Sequence, residues 1–124
     1  MSADADLIAE IRAALRAATD RDLAPGMQSY MKSAMPYLGV RVPVVRKLAR
    51  DAERVRPPLD TDVHLATVRA LWDEADYREE RYAAAALLDT RTARALRDRT
   101  QLPLLEHLMR TGAWWITSMR SRTG

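Results

Sequence analysis

Cysteine is absent from the 124-residue chain, which excludes a disulfide framework, thiolate catalysis and any cysteine-ligated metal. Histidine is scarce. His64 and His107 are the only two and neither has a second ligand at metal spacing, so each reads as an ordinary helix-surface or half-buried side chain, and no metal or cofactor is expected. No apolar run approaches membrane-spanning length. Met1 to Asp6 is acidic with no long apolar stretch behind it, unlike a signal or transit peptide, so a cytoplasmic protein with no membrane partner is expected. There is no glycine-rich phosphate loop and no serine-histidine-aspartate spacing. Lysine is nearly missing as well: two lysines stand against 18 arginines, with a net charge of +3 and a pI of about 9.7. Arginine forks grip phosphate oxygens bidentately and stack on bases, so this balance permits a nucleic-acid partner. GC-rich coding also produces arginine- and alanine-rich chains, and on composition alone that cause is preferred.

What is present reads as helix. Hydrophobic residues make up 48% and charged residues 30%, which excludes disorder, and the length fits one domain or part of one. Between Asp4 and Ala18, Leu7, Ile8, Ile11 and Leu15 recur at spacings of three and four, the pattern of an amphipathic helix. Asp20 to Gly26, with Pro25 and Gly26, is expected to end it. A short helix is expected over Met27 to Met35, then a break at Pro36 to Val40. Pro43 suits a helix start, and the next stripe is Val44, Leu48, Ala52 and Val55, opposite a face of Arg46, Lys47, Arg50 and Arg54. Pro57-Pro58 stops that helix. Thr61 or Asp62 is expected to cap another, with Leu65, Val68, Leu71 and Trp72 facing inward. After the acidic link Asp73 to Asp76 comes a helix over Tyr77 to Leu88, whose Ala83 to Ala86 run lets a neighbouring helix approach closely. Thr92 to Arg99 is expected to be helical. A last helix opens at Pro103, carries Leu104, Leu105, Leu108 and Met109 on its apolar side, and ends at Gly112.

No segment alternates with a two-residue period between hairpin turns. The expected fold is therefore all-α: a right-handed solenoid of antiparallel helix pairs, with an up-down bundle as the alternative.

Three groups of residues are candidates for function. Asp73, Glu74, Asp76, Glu79 and Glu80 could pair for acid-base chemistry, but acidic residues also favour a helix start, where the macrodipole stabilises them, and that reading is preferred. The row Arg46, Lys47, Arg50 and Arg54 is either a solvated helix face or a phosphate contact. Trp114 and Trp115 form the third group. Adjacent helix positions point about 100° apart, so if one indole packs inward the other turns towards a surface or groove.

Several segments together resemble the AlkD-like alkylpurine DNA glycosylases, a DNA alkylation-repair family built from HEAT-like helical repeats. They are Tyr30-Met31-Lys32, Pro36 to Val40 with Pro43, Leu71-Trp72 with its acidic link, Arg78 to Ala85, and Trp114-Trp115. The resemblance runs from about Met27 to Trp115 and implies the N-terminal half of a family domain, so residues 1–124 would form a single partial HEAT-like repeat domain. It implies a function in DNA repair: excision of cationic N3- or N7-alkylated purines from duplex DNA by hydrolysis of the N-glycosidic bond. Tyr30 and Trp114 would line the lesion site, and Lys32, Arg46, Lys47 and Arg50 would hold the DNA. In the family motif Trp-Trp-Asp-x-Val-Asp the second tryptophan packs on sugar and lesion while the last aspartate faces the developing sugar cation. Carried over by position, that tryptophan is Trp115, the first aspartate falls on Ile116 and the last on Met119, so both carboxylates are missing. The implied enzyme would be inactive in this form. The alternative is a non-enzymatic helical-repeat module that binds DNA or a protein partner.

The residues after the tryptophans admit a specific explanation. Ile116 to Gly124 can be encoded as ATC ACG TCG ATG AGA TCG CGC ACC GGG, and one G placed in front shifts the reading to Asp-His-Val-Asp-Glu-Ile-Ala-His-Arg. Residues 116–124 are therefore expected to be an out-of-frame tail whose restored frame contains the family motif. Loss of the following repeat is expected to leave Leu104, Leu108 and Met109 uncovered and to favour a homodimer through that end.

Overall fold

The computed structural model of the chain describes residues 3–31, 35–57, 60–88 and 102–111. Among them are six helices and no strand: α1 Ala5–Ala17, α2 Ala24–Met31, α3 Val42–Val55, α4 Thr61–Asp73, α5 Arg78–Leu87 and α6 Leu102–Arg110. The all-α expectation is met, and the arrangement is that of stacked helices in a repeat solenoid. α5 packs against α1, α3 and α4, while α6 rests on α4. This central place suits its alanines: Ala83 and Ala84 are fully buried, and their short side chains admit close neighbours.

α1 follows its periodicity, with Leu7, Ile8, Ile11 and Leu15 all buried. Asp4 caps it by accepting a hydrogen bond from the Leu7 amide at 3.1 Å. The Asp4 amide donates in turn to Thr67 Oγ1 at 2.9 Å, which ties the start of α1 to α4.

Elsewhere the structure corrects the local pattern. α2 begins at Ala24 and ends at Met31, so Pro25 and Gly26 open this helix instead of closing the previous one. Proline is tolerated there because a first-turn N–H has no helical partner to lose. On α3 the buried residues are Val45, Ala49 and Glu53, whereas Val44 and Val55 are exposed. The stripe is rotated by one position because a buried glutamate occupies a place that hydrophobicity does not count. The cap of α4 is Asp60, which accepts from the Val63 amide at 2.9 Å, not Thr61 or Asp62. Of the three α6 residues on which the homodimer expectation rests, Leu104 and Leu108 are buried and Met109 is 44% exposed. The expected helix at Thr92 to Arg99 and the stop at Gly112 lie outside the described residues.

The acidic residues at the start of α5 are not solvated. Glu79 and Glu80 are 0% and 1% exposed. Glu79 accepts hydrogen bonds from three consecutive amides, those of Leu38 at 2.9 Å, Gly39 at 2.8 Å and Val40 at 3.0 Å. The same segment is held on its carbonyl side, where Leu38 O accepts from the Asp20 amide and Pro36 O from the Arg78 amide. Gly39 has φ +89°, and a Cβ there would lie 2.0 Å from Asp20 O, so this position requires glycine. Glu80 accepts from the Asp76 and Tyr77 amides at 2.8 Å each, and its other oxygen is 2.7 Å from Arg12 Nε. Both carboxylates therefore join α5 to segments distant in the chain.

Replacing Glu79 by alanine strands three buried donors, each costing about 1–3 kcal/mol. A loss of at least about 3 kcal/mol in urea unfolding is expected for Glu79→Ala, and a change under 1 kcal/mol would contradict this account. His64 supplies a second test. It is 2% exposed, its Nε2 has no hydrogen-bond partner, and burial lowers its pKa from 6.5. Between the lowered native value and 6.5 the unfolded chain binds more protons than the native one, so stability rises with pH across that window. Stability should decline as pH falls below about 6.5, and His64→Leu should flatten that decline in thermal melts at pH 5 to 7. An equal slope in both proteins would refute the assignment.

Candidate nucleic-acid interface

Tyr30 is expected from the resemblance at the functional site, and it borders a groove of about 420 Å3. One wall is the face of α2 that carries Gly26, Met27 and Tyr30, and Tyr37, Tyr82 and Val42 complete the apolar lining. Tyr30 itself is 85% exposed. The Tyr37 and Tyr82 hydroxyls are 2.7 Å apart, and their rings meet edge to face with centroids 6.2 Å apart. Burial and the bond to Tyr82 raise the Tyr37 phenol above the usual tyrosine range, so it stays neutral. With these hydroxyls turned to each other, the groove offers mainly hydrocarbon and ring surface. Among the described residues of its lining, Asp22 is the one that is charged.

Val42, the first residue of α3, connects this groove to the basic row. At 1.5 Å rise per residue, Arg46 lies about 6 Å and Arg50 about 12 Å further along the helix, one and two turns on. Arg46 is half-buried, while Lys47, Arg50 and Arg54 are exposed. Lys47 Nζ is 3.0 Å from Asp51 Oδ2. That hydrogen bond, with Arg54 and Arg50 nearby, holds the Asp51 carboxyl below its usual value. The row is thus three arginines plus one lysine already facing a carboxylate.

Lys32, Trp114, Trp115 and Met119 lie outside the described residues. The helix preceding the tryptophans is nevertheless well anchored. Buried Trp72 donates from Nε1 to Thr111 Oγ1 at 2.7 Å, and Arg81 donates from Nη1 to Thr111 O at 2.9 Å with its guanidinium 4.7 Å from the Trp72 ring centroid. His107 Nε2 is 2.6 Å from Asp73 Oδ1. Three side chains from α4 and α5 therefore fix the end of α6.

Sequence reasoning did not identify Tyr37 and Tyr82 as partners in one groove. They are 45 residues apart, and nothing in either local pattern links them. Among the described residues no group of three His, Cys, Asp or Glu side chains could hold a metal ion, and no helix is long and apolar enough to cross a membrane.

Comparison with known proteins bears on what this surface serves. No curated protein matches the chain. A family model described as DNA alkylation repair enzyme matches residues 11–120, a span that contains the tyrosine groove, the basic row and both terminal tryptophans. The all-α stack, its groove and its arginine row thus belong to a chain of the DNA alkylation repair enzyme family.

Proposed function

We propose that this chain is of the alkylpurine DNA glycosylase type, acting on cationic N3- or N7-alkylated purines in duplex DNA. The observation that carries this reading is the tyrosine groove, where three rings and the Asp22 carboxylate suit a flat cation. Arg46 and Arg50, aligned from its rim, suit the phosphates that flank such a base, with Lys32 and Lys47 as further contacts. A positively charged purine is already a good leaving group. The protein's main task is to stabilise the sugar cation that forms as the glycosidic bond breaks.

On this reading Trp114 and Trp115 line the lesion, and the position that should carry a carboxylate is Met119. Residues 116–124 are then the out-of-frame tail of one partial HEAT-like repeat domain. The same substitution favours a second reading, a helical-repeat module that binds DNA without cleaving it.

Losing an electrostatic stabiliser of a developing charge slows a reaction about 100- to 1,000-fold. The 124-residue chain should therefore release only traces of 7-methylguanine from methylated duplex DNA. Met119→Asp, or a one-base insertion restoring the frame after the Trp115 codon, should raise the rate by about that factor. Full-rate release by the unaltered chain would overturn the account of the tail. No release from either repaired form, with salt-dependent DNA binding intact, would favour the binding module.

A further inference from the structure

α2 separates two grooves. On the side away from Tyr30 is one of about 740 Å3, lined by Arg16 and Thr19 from the end of α1, Arg21 from the turn, and Pro25 and Gln28 of α2. Tyr37 borders both this groove and the tyrosine groove. Among the described residues of its lining, Arg16 and Arg21 are the only charged ones, and both are exposed. Among the described residues no carboxylate pairs with either, in contrast to Arg12, Arg56 and Lys47. A third groove, of about 690 Å3 between the start of α1 and the end of α3, has the opposite character. Among the described residues its charged lining is Asp4, Asp6 and Glu10 against Arg56, and Arg56 lies 3.5 Å from Asp6 and 3.9 Å from Glu10. Size does not distinguish these two clefts, but charge does.

We propose that the α1–α2 groove is a phosphodiester subsite, in which Arg16 and Arg21 hold the backbone of the same duplex whose modified nucleotide lies against the tyrosine groove across α2. This rests on the glycosylase reading of the tyrosine groove. Two guanidiniums without carboxylate partners can turn their N–H forks to phosphate oxygens without first breaking an ion pair. Thr19, Gln28 and Tyr77 add neutral hydrogen-bonding groups to the same lining. The shared Tyr37 places the subsite directly beside the base groove, as a strand running past a recognised base requires. The acidic groove between α1 and α3 would repel that strand.

Counterion release makes the subsite measurable. Each phosphate neutralised on duplex DNA contributes about 0.9 to the slope of log K against log salt. Binding of the full chain to a labelled, unmodified duplex should be followed by fluorescence anisotropy at several salt concentrations. Arg16→Ala with Arg21→Ala should reduce the slope by about 1.8. Arg16→Lys with Arg21→Lys should keep it, and Asp6→Asn with Glu10→Gln, in the acidic groove, should not lower it. Both arginines are exposed, and unchanged circular dichroism will show that the fold survives. An unchanged slope in the alanine pair, or a loss in the lysine pair equal to that in the alanine pair, would overturn the proposal while leaving the glycosylase reading standing. Failure of the unaltered chain to bind duplex DNA would overturn both.

Discussion

Three consecutive backbone amides, those of Leu38, Gly39 and Val40, donate to the single buried carboxylate of Glu79, and the surface of interest is organised by that contact. A linker between helices normally satisfies its polar groups with water. Here Tyr37 to Val40, in the link between α2 and α3, are buried, so the donors of Leu38, Gly39 and Val40 need protein partners, and one side chain of α5 supplies them. Tyr37 directly precedes the held amides, and Tyr82 follows Glu79 by three residues on the same helix face. The contact that closes the linker therefore also brings the two tyrosine rings together. Tyr37 then forms part of the grooves on both sides of α2.

Charge is distributed around this frame by sign. α3 directs Val45, Ala49 and Glu53 inward and leaves Lys47, Arg50 and Arg54 outside. The end of α1 and the following turn present Arg16 and Arg21, whereas the start of α1 presents Asp4, Asp6 and Glu10. A net charge of +3 conceals this separation. It is the local arrangement, rather than the total, that decides where a polyanion can lie. The family match gives the arrangement a context, because DNA alkylation repair suggests DNA, a polyanion, as the partner.

The elements that were readable from the sequence are those whose cause is local. The α1 stripe and the alanines of α5 pack as their spacing implies, since each needs only an apolar neighbour. α3 was misjudged by one position because buried Glu53 holds a place in the stripe and exposed Val44 and Val55 imitate one. Glu79 does stand in the first turn of α5, as its position implies, but its partners lie 39 to 41 residues earlier, beyond the reach of any local pattern. For the same reason the tyrosine groove was invisible: its walls come from three separate segments, and only Tyr30 was singled out through a family resemblance.

The long reach of Glu79 also bears on how the chain acquires its shape as it is made. Synthesis proceeds at about 5–20 residues per second, so α5 follows the α2–α3 linker by seconds, and during that interval the three amides have only water to bind. α1 and α3 pack directly on each other and can do so early, but the Tyr37 to Val40 segment gains its buried partner only when α5 emerges. The last of these helices to be synthesised is thus the one that closes the link between α2 and α3.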